Sequence, residues 1–259
     1  MANPRGGTLR NGILALALAT MVAGAFAVPA ARAAGADGAA TSAASRRLRA
    51  AQSSWRAWLL ADRPDLATRY GIKGAEDRLM PLSESGIDSA RVRVARVRDA
   101  ARRVDRAALP ANETAALDTL HARIEREWAT LESGAWRREP GLYAALTLEA
   151  VLDVAAPRKG VSPCERSRRA MRRLLVVPEA LRAAQVSLRD ASGFDRDSTL
   201  ARWEAVLFRL RTELPPTLLA CREPRRVAEV VEADSAALAA AQRFVRFVRE
   251  DLVQSARPR

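Results

Sequence analysis

Apolar residues in this chain return at intervals of three and four, and no stretch alternates apolar with polar in the two-residue rhythm of a strand. The strictest run is Ile87, Ala90, Val94, Val97, Ala101, Val104 and Ala108, with arginines filling the other face. Steps of that size put all seven side chains on one stripe of a helix. Pro110 and Asn112 reset the chain, and the period resumes at Leu117, Leu120, Ile124, Trp128 and Leu131 until Ser133-Gly134 closes it. Two helices joined by so short a turn are expected to lie side by side as a long antiparallel hairpin.

The same rhythm organises the rest. A first helix is expected from about Ser45 to Asp62, with Leu48, Trp55, Trp58 and Leu59 on its inner stripe, which makes the tryptophan pair core. Pro64 to Tyr70 reads as a short helix with proline at its start and Gly71 past its end. Pro140 opens another through Leu152, ended by Pro157 and Gly160. Ser162-Pro163-Cys164-Glu165 is a capping box, and Pro178 should kink or split the helix it starts. After a turn over Asp190 to Ser198 come helices from Leu200 to Leu214 and from Pro224 to Val253, with Pro215-Pro216 interrupting between them. The expected fold is all-α, a multi-helix bundle forming one domain over 45–255.

The amino terminus is a different kind of sequence. Arg5 and Arg10 precede an apolar run from Ile13 to Val28, no acid occurs before Asp37, and Ala31-Arg32-Ala33 follows Pro29. A positive start, an apolar middle and a small-x-small end make a secretory signal peptide, expected to be cleaved after residue 33. The run is shorter than the roughly 20 residues that span a bilayer. No cysteine stands near the cleavage point, so a lipid anchor is not expected there. Residues 34–44 are small and polar and read as a disordered linker. The mature chain should work in the periplasm or outside the cell. In such an oxidising place the two cysteines, Cys164 and Cys221, are candidates for a disulfide, with two buried thiols as the alternative.

Charge points to partners more than to chemistry. The formal charge is +13, and arginine supplies all of the basic residues but Lys73 and Lys159. Basic charge favours acidic partners by field alone; outside the cytoplasm these would be anionic lipid or wall polymer, and nucleic acid is disfavoured. The densest feature is Arg166, Arg168, Arg169, Arg172 and Arg173, set against Met171, Leu174 and Leu175. A solvated helix face explains it better than a polyanion site does, because no aromatic platform is interleaved. Catalytic constellations are missing. One histidine, His121, cannot supply the several ligands a zinc hydrolase needs, and its helical neighbour Glu125 suggests a surface pair. Asp118, Glu125, Glu127 and Glu149 offer carboxylates, but spacing marks no catalytic pair among them. No nucleophile elbow or phosphate loop occurs.

Trp55-Arg56-Ala57-Trp58-Leu59-Leu60, then Pro64-Asp65-Leu66-Ala67-Thr68-Arg69-Tyr70-Gly71 and Asp77-Arg78-Leu79, resemble the amino-terminal half of the bacterial proteins called domain of unknown function 885. Val104 to Leu109, Arg173 to Pro178 and the last phenylalanine-bearing helix are similar too, so the likeness runs from about Ala50 to Val253. The resemblance implies an exported helical protein similar to gluzincin-type zinc peptidases. That family's metal motif, His-Glu-x-x-Pro-Gly-His, has no match here, so no catalytic residue, metal ligand or cofactor carries over. Three expectations follow. The chain is a non-catalytic helical domain that binds peptides or an envelope protein, a fragment or subunit that needs a separate zinc-peptidase half, or a binder of anionic lipid or polymer through its arginine face. An enzyme is not the expected reading.

Overall fold

The computed structural model describes residues 29–188 and 193–255. The chain divides into two units, Met1–Ala39 and Ala40–Arg259. Of the first unit only the helical stretch from Pro29 is described, so the apolar run read as an export signal lies outside the described residues.

Among the described residues there is no strand, and none of the helices is long and apolar enough to cross a membrane. The elements are α1 (Pro29–Asp62), α2 (Pro64–Arg69), α3 (Glu84–Arg102), α4 (Ala111–Glu132), α5 (Ala135–Arg138), α6 (Leu142–Ala144), a π-helical turn (Ala145–Glu149), α7 (Ala150–Ala155), α8 (Pro163–Ser187), α9 (Arg196–Leu219) and α10 (Pro224–Ser255). This is the all-α bundle that the periodicity predicts. Residues 34–44 depart from expectation: they are helix, continuous with α1, instead of a linker. The stretch is rich in alanine, the best helix former, and Ala44 is already buried.

Antiparallel packing of α3 and α4 is written in their ion pairs. Arg91 reaches Glu132, Arg98 reaches Glu125, and Arg106, just past α3, reaches Asp118. Numbers rise along one helix as they fall along the other. Between the helices lie Ile87, Ala90, Val94, Val97 and Ala101 from α3, with Leu117, Leu120, Ile124 and Leu131 from α4. The helix stops at Arg102, short of Ala108, although Val104 stays buried. Helix α1 closes this layer: the Trp58 indole N–H donates to the Ala90 carbonyl at 3.0 Å, and Trp58 stacks on Trp55 with ring centroids 4.9 Å apart.

The other layer is built around α8, which packs against α7, α9 and most extensively α10. Ser162 caps it by accepting from the Glu165 N–H, as the capping box predicts. Pro178 does not split its helix, and α9 likewise runs through Pro215 and Pro216. Proline costs each helix a backbone bond. The stripes on either side, Leu174, Val177, Leu181 and Ala184 on α8 and Leu210, Leu214 and Leu218 on α9, are buried, and tertiary packing overrides local propensity. Phe244 of α10 is fully buried against Trp203 of α9 and Tyr143 of α6. Cys164 and Cys221 are joined, their Cα atoms 4.5 Å apart, which ties the first turn of α8 to the turn between α9 and α10.

Candidate functional site

The five arginines of α8 do not form one face. The buried stripe of this helix runs Ser167, Ala170, Arg173, Leu174, Val177, Leu181, Ala184, so Arg173 points inward while Leu175 is 60 % exposed. A helical side chain leans over the turn before it, and Ser167 and Ala170 are small enough to leave a long side chain room there. Arg173 is wholly buried. Its guanidinium donates to the Ala150 carbonyl, the Pro64 carbonyl at 3.1 Å, the Thr68 hydroxyl at 2.8 Å and the Ala75 carbonyl at 3.2 Å. One side chain thus ties α8 to α2, to the loop after α2 and to the start of α7. Burial drives its pKa down to about 10, against the fields of Asp65 and Asp153.

Three of the other four arginines of the row, Arg168, Arg169 and Arg172, are matched by acids. Arg168 and Arg169 both bond Glu165, Arg169 also lies 3.4 Å from Glu76, and Arg172 pairs with Asp77 at 2.8 Å. The bond from Arg168, aided by Arg169, holds the Glu165 carboxyl down at about 2. Arg166 is half-buried.

Helix α2 is the centre of this polar region, with Pro64, Asp65, Leu66, Ala67 and Thr68 all buried. Arg63 grips Asp65 through two parallel bonds of 3.0 and 2.9 Å and reaches Glu127 on α4 with its remaining terminal nitrogen. Burial alone would raise the Asp65 carboxyl, yet the Arg63 charge and its two bonds carry it below the usual range. Glu127 goes the other way: burial pushes it up, and Arg63 offsets only part of that. Arg158 adds a bond to the Thr68 carbonyl at 2.7 Å, and Arg69 pairs with Asp153. Each acid noted in the sequence as a chemical candidate therefore meets an arginine. Asp118 takes Arg106, Glu125 takes Arg98 and Arg102, Glu127 takes Arg63, and Glu149 takes Arg202. Because Glu125 turns to α3, it is not the surface partner of His121 that their spacing suggested.

Open volume lies elsewhere. A cleft of about 390 Å³ is lined by Arg138 and Glu139 at the end of α5, Gly141 and Leu142 at the start of α6, and Phe194, Asp195, Ser198, Thr199 and Arg202 around the first turns of α9. Its walls are set by packing. The Trp203 indole donates to the Pro140 carbonyl at 3.2 Å, and a Cβ on Gly141 would already lie 3.5 Å from the Thr199 hydroxyl. Asp195 caps α9 by accepting from the Ser198 N–H at 3.0 Å. Arg202, bonded to Glu149, leaves 47 % of its side chain exposed, and Arg138 holds the Ser133 carbonyl at 2.7 Å. Both signs of charge thus line the cleft beside Leu142, Phe194 and Thr199, a mostly polar lining suited to a polar ligand. Sequence reasoning missed these residues because they come from two segments more than fifty positions apart, with no motif in either. Arg173 could have been found, since it falls in step with Ala170, Val177 and Ala184.

No family model matches this chain, and no curated protein does. It is similar in structure to a candidate lipoprotein of unknown function from Shewanella oneidensis, with a TM-score of 0.67 at 14 % sequence identity. The match covers 82 % of this chain and 38 % of that one, so the likeness is one of fold and spans well under half of the longer protein.

Proposed function

We propose that this chain is an exported helical domain that binds peptide segments in the cleft between α6 and α9 and has no catalysis of its own. The cleft carries the proposal: it has the volume of a ligand site, and arginines, acids and hydroxyls line it beside Leu142 and Phe194. Export is supported by the signal-like first 33 residues and by a disulfide that closes readily outside the cytoplasm. The description of the Shewanella neighbour as a candidate lipoprotein is in keeping with the cell envelope. The likeness to domain of unknown function 885 supplies the peptide as ligand class, and the absent His-Glu-x-x-Pro-Gly-His motif removes its chemistry. Selection from a displayed random-peptide library tests this. Enriched peptides should bind at least about tenfold more weakly after Arg202→Ala, a loss of about 1.4 kcal/mol, and equally well after Arg172→Ala. No enrichment, or enrichment indifferent to Arg202, contradicts the proposal.

A second reading is favoured by one observation, the 38 % coverage of a longer neighbour. The domain would then serve as the partner of a separately encoded half. A neighbouring reading frame carrying the metal motif, and co-purification of its product, would support it. The arginine face of α8 supports an anionic surface less well, since Arg168, Arg169 and Arg172 already face carboxylates and Arg173 faces the interior.

A further inference from the structure

The disulfide has a chemistry beyond cross-linking. Cys164 is the second residue of α8, Cys221 follows the end of α9, and Glu223 directly precedes α10. The two sulfurs and a carboxylate oxygen of Glu223 lie within 4.8 Å of one another. While the sulfurs are bonded together they are poor ligands, because a metal takes the thiolate. Reduced, the same atoms become two thiolates and a carboxylate. Zinc accepts these at about 2.3 Å for sulfur and about 2.0–2.2 Å for oxygen, with a fourth position left for water. Cys164 is half-buried and Glu223 exposed, whereas Cys221 is wholly buried, so a reductant and an ion both have an approach from the Cys164 side.

We propose that Cys164, Cys221 and Glu223 form a zinc site of the reduced protein, opened and closed by the disulfide. Opening needs a dithiol. One of its thiolates attacks Sγ of Cys164, the S–S bond breaks, and Cys221 leaves as thiolate. The second thiol of the reductant then displaces Cys164 and closes the reductant into its own disulfide. Two electrons pass to the cysteines, and the two dithiol protons go to them or to solvent. Zinc displaces any thiol protons as it forms two Zn–S bonds and one Zn–O bond. The link from α8 to the α9–α10 turn survives in both states, through sulfur in one and through metal in the other.

Cobalt titration of the full chain tests this, after phosphine reduction and removal of the reductant under inert gas. The reduced protein should bind one Co²⁺ with thiolate-to-cobalt charge-transfer absorption, lose it to one Zn²⁺, and melt at a higher temperature with zinc than without. The oxidised protein should show none of this. Cys164→Ser should abolish the absorption, while Glu223→Gln should keep it and bind about tenfold or more weakly. A reduced protein that stays folded and takes no cobalt overturns the proposal. So does a reduced protein that unfolds and is not recovered by zinc. Unchanged affinity in Glu223→Gln overturns the three-donor site.

Discussion

Helices α3 and α8 both carry rows of arginine, and the two rows meet opposite fates. On α3 the row stays outside: Arg91 and Arg98 reach over the surface to α4, and Arg93 reaches back to Asp62 at the end of α1. On α8 one member, Arg173, enters the core and holds three segments through their backbone oxygens. The apolar seam explains the difference. Arg91 and Arg98 fall only at the edge of the α3 seam, four residues past Ile87 and Val94, whereas Arg173 falls inside the arc of α8 that Ala170, Val177, Ala184 and Ser187 bury. What an arginine does is set by its phase against the seam and by the size of the residues one turn earlier, and the local density of charge says little. Buried, a guanidinium cannot go without partners, so the fold supplies carbonyls. Exposed, it gains little from its carboxylate.

Breaking the inner row should cost most. Arg173→Ala removes several charge-assisted bonds and leaves a cavity, and urea unfolding should show a loss of at least about 3 kcal/mol. A loss under about 1 kcal/mol would mean the side chain is not buried as described. Asp65→Asn leaves Arg63 buried with one acid fewer and should cost about 3 kcal/mol or more by the same assay. Replacing both cysteines with serine opens a link across 57 residues and should cost about 2–4 kcal/mol. The acid limb sharpens the contrast further. Asp65 and Glu165 sit below their ordinary pKa values in the folded state, so their contributions are complete above those values and are lost as pH falls. For Glu165 the window runs from 4.5 down to about 2. Glu127, raised by burial, works the other way and gains on protonation. Denaturation at stepped pH should show stability falling through the acid range, with a shallower fall in Glu165→Gln. Smallest of all, Arg98→Ala on the outer row should leave the urea midpoint close to that of the parent chain, and closer still at high salt.

The hairpin and the order of helices were legible because apolar phase and turn residues agree there. Ser83, Gly134 and Ser162 each stand where a helix begins or ends. Three features were not. Pro178, Pro215 and Pro216 stay inside helices because the packing that overrides them comes from distant segments. The π turn at Ala145–Glu149 has no pattern of its own, and it passes directly into the helix whose first carbonyl Arg173 takes. The cleft joins Arg138 to Arg202 by a fold that no short window of sequence contains. Cys164 and Cys221 were a candidate pair by count, and the fold had to bring them together.

Side-chain hydrogen exchange of arginine, read by NMR on protein labelled with ¹⁵N at the guanidinium, puts the contrast between the two rows to its most direct test. Loss of a signal in Arg173→Lys assigns it. The Arg173 Nη protons should exchange slowly, with protection comparable to backbone amides of the α8 core, while those of Arg91, Arg98 and Arg172 exchange fast. Rapid exchange at Arg173, equal to that of the α3 arginines, would contradict the account.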